Sequence, residues 1–178
     1  MNHGALLPLF GMWAAMMVAM MAPAEAPSVL RLTRGRTAFL LGFGAPWLAF
    51  SFLAAVLQVQ LHSAGLLDHS TGALTNPWLA AALLVAAGAL QFTPLKRACR
   101  EMPLDGSVRS GLRAAALSMA SCGALMLVPF ATGMGLFPMA LVTALLFAER
   151  VAPRRWPVSS LAGALLAGVG AWLTLQGA

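Results

Sequence analysis

The chain has 178 residues, of which 60% are hydrophobic and 9% are charged, and its mean hydropathy is +0.83. This composition excludes a water-soluble globular domain and predicts one membrane domain over residues 1–178. The net charge of +6 does not indicate nucleic acid, because the cations cluster beside apolar segments, where they orient a membrane protein and meet anionic lipid headgroups.

Six apolar segments follow one another along the chain, and each is near the length of about 20 residues that a membrane-spanning helix needs. They cover approximately residues 6–22, 37–61, 77–92, 112–130, 136–148 and 156–176. The first segment is followed by Ala24-Glu25-Ala26, which has the form of a signal-peptide cleavage site. No Lys or Arg precedes this segment, however, so we expect a retained helix.

All eleven Lys and Arg residues lie in three stretches, which follow the first, third and fifth apolar segments. The positive-inside rule places these stretches in the cytoplasm and both termini outside, as in a bacterial inner-membrane protein. The predicted fold is therefore an all-α polytopic membrane protein whose six transmembrane helices form three hairpins. The cations are Arg31, Arg34, Arg36, Lys96, Arg97, Arg100, Arg109, Arg113, Arg150, Arg154 and Arg155.

The first segment is rich in methionine, with five of the eleven methionines between residues 12 and 21. Met17 and Met21 form a helical row that reaches Glu25 if the helix continues for another turn, although two nearby prolines favour a kink or an end there. Thioether sulfur is a soft ligand that suits Cu(I). Methionine is also a flexible filler of gaps between helices, and the residues alone favour this second interpretation.

Two further groups of residues are candidates for an inner site. Met119, Cys122 and Met126 are spaced i, i+3, i+7, which puts three sulfurs on one arc of a helix but is equally typical of a helix–helix seam. Glu25, Gln91 and Glu149 lie at the inner ends of segments, where a carboxylate needs a partner. Two interpretations remain open for the carboxylates: salt bridges to the basic loops, or a polar pocket that also contains sulfur. The sulfur residues of that pocket are Met21, Cys99 and Cys122.

The loop after the second segment carries His62, Asp68 and His69. Two imidazoles and a carboxylate can bind Cu(II) or Zn(II), but the spacing matches no established site and favours a solvated loop. Phosphate-binding loops, zinc-protease helices and nucleophile elbows are absent from the sequence. We therefore predict no catalytic residues and do not expect an enzyme.

Three stretches together are similar to a known family: WAAMMVAMMAPAEAP (13–27), QFTPLKRAC (91–99), and residues 122–149, which open CGALM and close FAE. With Gly42-Phe43 and Trp47, they resemble a bacterial family, domain of unknown function 2182, described as predicted metal-binding integral membrane proteins. The resemblance covers most of the membrane portion and implies a membrane fold that binds metal. In that family the fourth segment often carries Cys, Cys and Trp at the positions of Ser118, Ser121 and Gly123, so this chain has fewer thiolates.

These observations predict an integral membrane protein that binds or passes a soft metal ion, most simply copper. The alternative is a structural or assembly subunit of a larger membrane complex, suggested by the small residues of the sixth segment. A membrane protein partner and a homo-oligomer are both compatible with the sequence. The predicted metal ligands are Met17, Met21, Glu25, Cys99, Met119, Cys122 and Met126.

Overall fold

The computed structural model describes residues 3–68, 70–93, 104–123, 125–151 and 158–176, and in this part of the chain every regular element is helical. An isolated bridge between Leu67 and Leu74 closes the loop after the second helix. The all-α prediction is confirmed for these residues. The elements are α1 (His3–Arg31), α2 (Arg36–Ser63), α3 (Pro77–Leu90), α4 (Val108–Cys122), a 3₁₀ turn (Leu125–Leu127), α5 (Val128–Thr132), α6 (Leu136–Val151) and α7 (Val158–Gln176).

Helix α1 has 29 residues and continues through Pro23 and Pro27, so the expectation that these prolines end it is wrong. Each proline lacks an N–H group and removes one intrahelical hydrogen bond, which is tolerated in apolar surroundings when neighbouring helices hold the segment. Ala24 and Glu25 are both buried, so tertiary contacts hold this turn in place. The methionine row therefore does reach Glu25.

Helices α2 and α4 run in the same direction and approach each other backbone to backbone. A Cβ on Gly42 would overlap the carbonyl oxygen of Val108, and a Cβ on Gly111 would overlap that of Phe39. Gly35 and Gly106 meet in the loops that precede the two helices, and both have positive φ, which glycine adopts without steric cost. Small residues thus bring two helices that are distant in sequence into direct contact.

Helices α3 and α7 form a second close pair, which is antiparallel. A Cβ on Gly88 would lie 2.7 Å from the carbonyl oxygen of Gly163, and one on Gly170 would lie 2.9 Å from that of Ala81. By contrast, a Cβ on Gly168 would meet open space. The small residues of the sixth segment are therefore used largely within the chain.

The prediction of six spans in three hairpins is not confirmed. Within the described parts of the chain, three helices are long and apolar enough to cross a membrane: Leu6–Arg31, Arg36–Ser63 and Val158–Leu175. A fourth span would require α4 and Leu125–Thr132 to act together, and these are bent by 62°. Helix α3 has 14 residues and rises about 21 Å, which is short of a hydrocarbon core of about 30 Å.

The helix pairing also differs from a set of three hairpins. Helices α1 and α2 do pack as a hairpin, but the two most extensive pairings are α3 with α7 and α2 with α4. These pairings join helices that are not neighbours in the chain. Sequence order alone cannot reveal them, because any apolar helix can face any other in a bundle.

The bundle has two chemically different ends. At one end lie the loops around Gly35 and Gly106, with five exposed arginines; we call this the arginine end. At the other end, the loop after α2 is held to α5 by a hydrogen bond from Leu74 N to Phe130 O (2.7 Å). It is held to the α5–α6 linker by one from Met134 N to Thr71 O (2.9 Å). Because His62 lies at this end of α2, we call it the His62 end. The arginines are Arg31, Arg34, Arg36, Arg109 and Arg113.

Candidate metal site

A cavity of about 380 Å³ lies between α1 and α2. Helix α1 contributes Met17, Met21 and Glu25, which are spaced i, i+4, i+8, and α2 contributes Trp47 and Ser51. All five side chains are buried. The remaining lining residues are small or apolar: Ala14, Val18, Ala22, Ala26, Val29, Leu40, Phe43, Gly44 and Leu48.

The structure separates the two methionine rows of α1. All four buried methionines belong to the apolar core, but Met17 and Met21 line this cavity, whereas Met16 and Met20 do not. All four are at most 7% exposed, so burial does not distinguish them. The two rows differ in the direction in which they face. The row of Met16 and Met20 is therefore a matched control for the row of Met17 and Met21.

Glu25 is the one ionisable side chain among the residues that line the cavity. A carboxylate in apolar surroundings is stabilised by a cation, which it neutralises in turn. Two thioethers are suitable donors for a soft monovalent ion, whereas the carboxylate is a hard donor and contributes mainly its negative charge. In the described residues no three His, Cys, Asp or Glu side chains come together as a metal site.

Trp47 adds a polar group that the fold leaves unused. Its indole N–H is buried and has no hydrogen-bond partner among the described residues, although its backbone carbonyl accepts a bond from the Ser51 hydroxyl at 2.9 Å. An unpaired buried donor costs about 1–3 kcal/mol. Such a group beside a cavity is more readily explained by a ligand or water that fills the cavity than by the core alone.

The sulfurs predicted on the fourth segment lie elsewhere. The helix is interrupted after Cys122, so Met119, Cys122 and Met126 do not share a continuous helical arc. Met126 is fully buried, and the other two are half-buried against the same core. The Cys122 thiol lies 3.5 Å from the Ser121 hydroxyl. None of these residues lines the cavity.

The other polar residues of the predicted inner pocket are not brought to the cavity either. Gln91 and Glu149 are both buried, and neither lines it. The amide nitrogen and oxygen of Gln91 have no partner among the described residues. Cys99 lies outside the described residues. Of the six residues of that predicted pocket, the cavity therefore contains Met21 and Glu25.

Of the predicted outer site, which comprised His62, Asp68 and His69, the Asp68 carboxylate has a structural role. Asp68 Oδ1 accepts hydrogen bonds from the backbone N–H groups of Ser70 (3.0 Å) and Thr71 (2.8 Å) and from both of their hydroxyls. These bonds hold the pKa of Asp68 well below its ordinary value. His62 is exposed on the last turn of α2, and His69 lies outside the described residues.

One polar arrangement in the structure was not predicted from the sequence. The Trp13 indole N–H donates to Gln58 Oε1 at 2.7 Å, and the Gln58 amide Nε2 donates to Met134 Sδ at 3.3 Å. Trp13 also stacks on Phe130 with ring centroids 5.3 Å apart. The available signal was Gln58 itself, since a polar residue inside an apolar segment usually has a defined partner.

Fold and cavity together define an all-α protein with apolar helices long enough to cross a membrane and a methionine-lined cavity between the first two. The chain belongs to the PpoB2 family of copper chaperones, whose family model matches residues 10–173. No curated protein and no solved structure matches the chain. The family match agrees with the metal-related part of the resemblance noted above and specifies copper, but it does not support the name domain of unknown function 2182.

Proposed function

We propose that this chain is a membrane-embedded copper carrier that binds Cu(I) in the cavity between α1 and α2 and releases it to another acceptor. The observation that carries the proposal is the row of Met17, Met21 and Glu25, which faces one cavity in a chain of a copper chaperone family. Three apolar helices long enough to cross a membrane support the membrane location.

The chemistry of this row suits a cargo that must leave again. Thioethers are neutral soft donors that select Cu(I), and they need not lose a proton to bind it. The Glu25 carboxylate supplies one negative charge, which cancels the charge of the ion in apolar surroundings. A site of this kind retains copper without the anionic thiolates that bind soft metals most strongly.

The spacing of the row also supports movement along the helix. Donors four residues apart on an α-helix are separated by a rise of about 6 Å. An ion can therefore pass from Met17 to Met21 and then to Glu25 in short steps within one cavity. We infer that transfer follows α1 between the two ends of the bundle.

A pair of double variants tests this proposal. Met17→Leu with Met21→Leu removes both cavity sulfurs, whereas Met16→Leu with Met20→Leu removes two equally buried sulfurs that face away. Leu replaces Met at nearly constant volume, so both variants should fold with a cost below about 1.5 kcal/mol per site. Competition against a chromogenic Cu(I) chelator in lipid nanodiscs measures affinity, and only the first variant should lose stoichiometric uptake.

Glu25→Gln provides a second measurement on the same site. The amide keeps the shape of the side chain but removes its charge, so Cu(I) affinity should fall while the two thioethers remain. Equal affinity in the wild type and the Met17/Met21 double variant would overturn the proposal, as would a wild-type protein that binds no Cu(I).

The alternative of an assembly subunit is less well supported. It was suggested by the lack of a soluble domain and of a full catalytic constellation in the sequence, and by the small residues Gly163, Ala167, Gly168 and Ala171. Gly163 and Ala167 lie against Gly88 of α3 in the same chain, whereas Gly168 and Ala171 are exposed. Copper handling remains the function that the cavity supports best.

A further inference from the structure

At the His62 end of the bundle, Met134 is held by two independent hydrogen bonds. Its backbone N–H donates to Thr71 O at 2.9 Å, and its sulfur accepts from Gln58 Nε2 at 3.3 Å. A methionine is ordinarily flexible and fills whatever space its neighbours leave. Here both the backbone and the thioether have fixed positions.

The orientation of the Gln58 amide follows from its other partner. The Trp13 indole can only donate, so the oxygen of the Gln58 amide must face it, and the amide nitrogen must face Met134. Trp13, Gln58 and Met134 thus form a chain of hydrogen bonds, which we call the relay. Its first member, Trp13, is fully buried and stacked on Phe130, so its position is fixed. A rigid relay thus orients the sulfur of a half-buried residue.

The relay leads directly to the proposed copper site. Trp13 precedes Met17 by one helical turn on α1, so Met134, Trp13 and Met17 succeed one another from the His62 end toward the cavity. Exposed His62 lies one turn beyond Gln58 on α2. Met134 is therefore a thioether on the His62 side of the cavity row, and it differs from Met12 on α1, which is 38% exposed, in having its sulfur fixed by a hydrogen bond.

We propose that Met134 is the first thioether to receive Cu(I) at the His62 end, and that Gln58 is its positioning residue. This inference rests on the proposed function. The hydrogen bond from the Gln58 amide uses one lone pair of the Met134 sulfur and fixes the direction of the other. A sulfur that is already oriented binds a metal ion without the cost of ordering a flexible side chain. A single thioether binds weakly, so it affects how fast copper reaches the cavity and not how tightly the cavity holds it.

The test compares loading rate with equilibrium affinity for Met134→Leu and Gln58→Leu in lipid nanodiscs. Gln60→Leu is the control, because Gln60 is an exposed glutamine on the same helix. A Cu(I)–acetonitrile complex is mixed rapidly with protein under anaerobic conditions. Tryptophan fluorescence reports arrival, since Trp47 lines the cavity.

Met134→Leu should slow loading about tenfold, which corresponds to about 1.4 kcal/mol in barrier height. Gln58→Leu should slow loading in the same direction, and adding it to Met134→Leu should have no further effect, because the two residues act as a unit. Both variants should keep the equilibrium affinity of the wild type, and Gln60→Leu should change neither quantity.

Unchanged loading in Met134→Leu would overturn this inference, as would a lowered melting temperature as the only effect of Gln58→Leu. In those cases the sulfur merely satisfies a half-buried amide. Failure of the proposed function looks different, because the wild type would then bind no Cu(I) at equilibrium or would bind it equally well without Met17 and Met21.

Discussion

Asp68 shows how a residue with metal-binding chemistry can be used for structure. Its Oδ1 atom accepts two backbone and two hydroxyl hydrogen bonds within the turn at residues 68–71. The same turn supplies Thr71 O, which holds Met134. The carboxylate therefore stabilises the loop that fixes the His62 end.

This arrangement predicts a pH-dependent contribution to stability. Because the folded-state pKa of Asp68 is lowered, its contribution is complete above the unfolded value of about 3.9 and is lost as the pH falls below it. The stability difference between the wild type and Asp68→Asn should be constant at neutral pH and shrink below about pH 4. Chemical denaturation at several pH values measures it, and a difference that does not change down to about pH 3 would contradict the assignment.

At the scale of the elements, the close α2–α4 pair depends on glycine at particular positions. Gly42 has the Val108 carbonyl oxygen where a Cβ would be, whereas a Cβ on Gly44, on the same helix, would meet nothing within 4 Å. The two glycines are close neighbours in one helix, so they have nearly the same helix propensity and lipid surroundings. They differ in their contact with α4, and Gly44 in addition lines the cavity between α1 and α2.

Gly42→Ala should therefore destabilise the protein by about 1–3 kcal/mol, as other overpacking substitutions do. Gly44→Ala should be neutral or stabilising by up to about 1 kcal/mol, because alanine is the better helix former. Thermal unfolding of both variants in the same detergent provides the measurement. Equal melting temperatures would mean that the α2–α4 contact does not limit stability.

The elements themselves were predictable to different degrees. Hydropathy placed α2 and α3 within two residues of their ends, because an apolar run has clear limits. It placed the end of α1 nine residues too early, since proline is a breaker in general and is tolerated here by burial of the turn around Glu25. The break after Cys122 was also missed, because no proline or charge marks it.

The candidate site was predictable only as a set of residue types. Sequence spacing put Met17, Met21 and Glu25 on one row, and the cavity contains that row. It could not choose between the two methionine rows or identify Trp47 and Ser51 on α2, because these depend on how the helices rotate against one another. The Gln58–Met134 bond joins residues 76 positions apart, and no local pattern reveals such a contact.

At the scale of the whole molecule, the helix contacts place the start of α1 and the end of α7 at the His62 end. Trp13 of α1 donates to Gln58, which lies near the His62 end of α2, and α1 ends at Arg31. The N-terminal half of α1 therefore lies at the His62 end. Helix α3 starts beside the loop after α2, and α7 is antiparallel to it, so the last turns of α7 lie at the same end. The sequence-based expectation that both termini lie outside the cytoplasm concerns the membrane and stays a prediction.

The last prediction concerns how this bundle lies in a membrane. From the positive-inside rule we expect the arginine end to face the cytoplasm and the His62 end to face outward. Single cysteines at two exposed hydroxyl residues, Thr33→Cys at the arginine end and Ser63→Cys at the His62 end, test this in a background without Cys99 and Cys122. In intact bacterial cells a membrane-impermeant maleimide should label Ser63→Cys, whereas Thr33→Cys should react only after permeabilisation. Labelling of both sites in intact cells, or the reverse pattern, would require copper to enter from the other end and would remove Met134 from the start of the path.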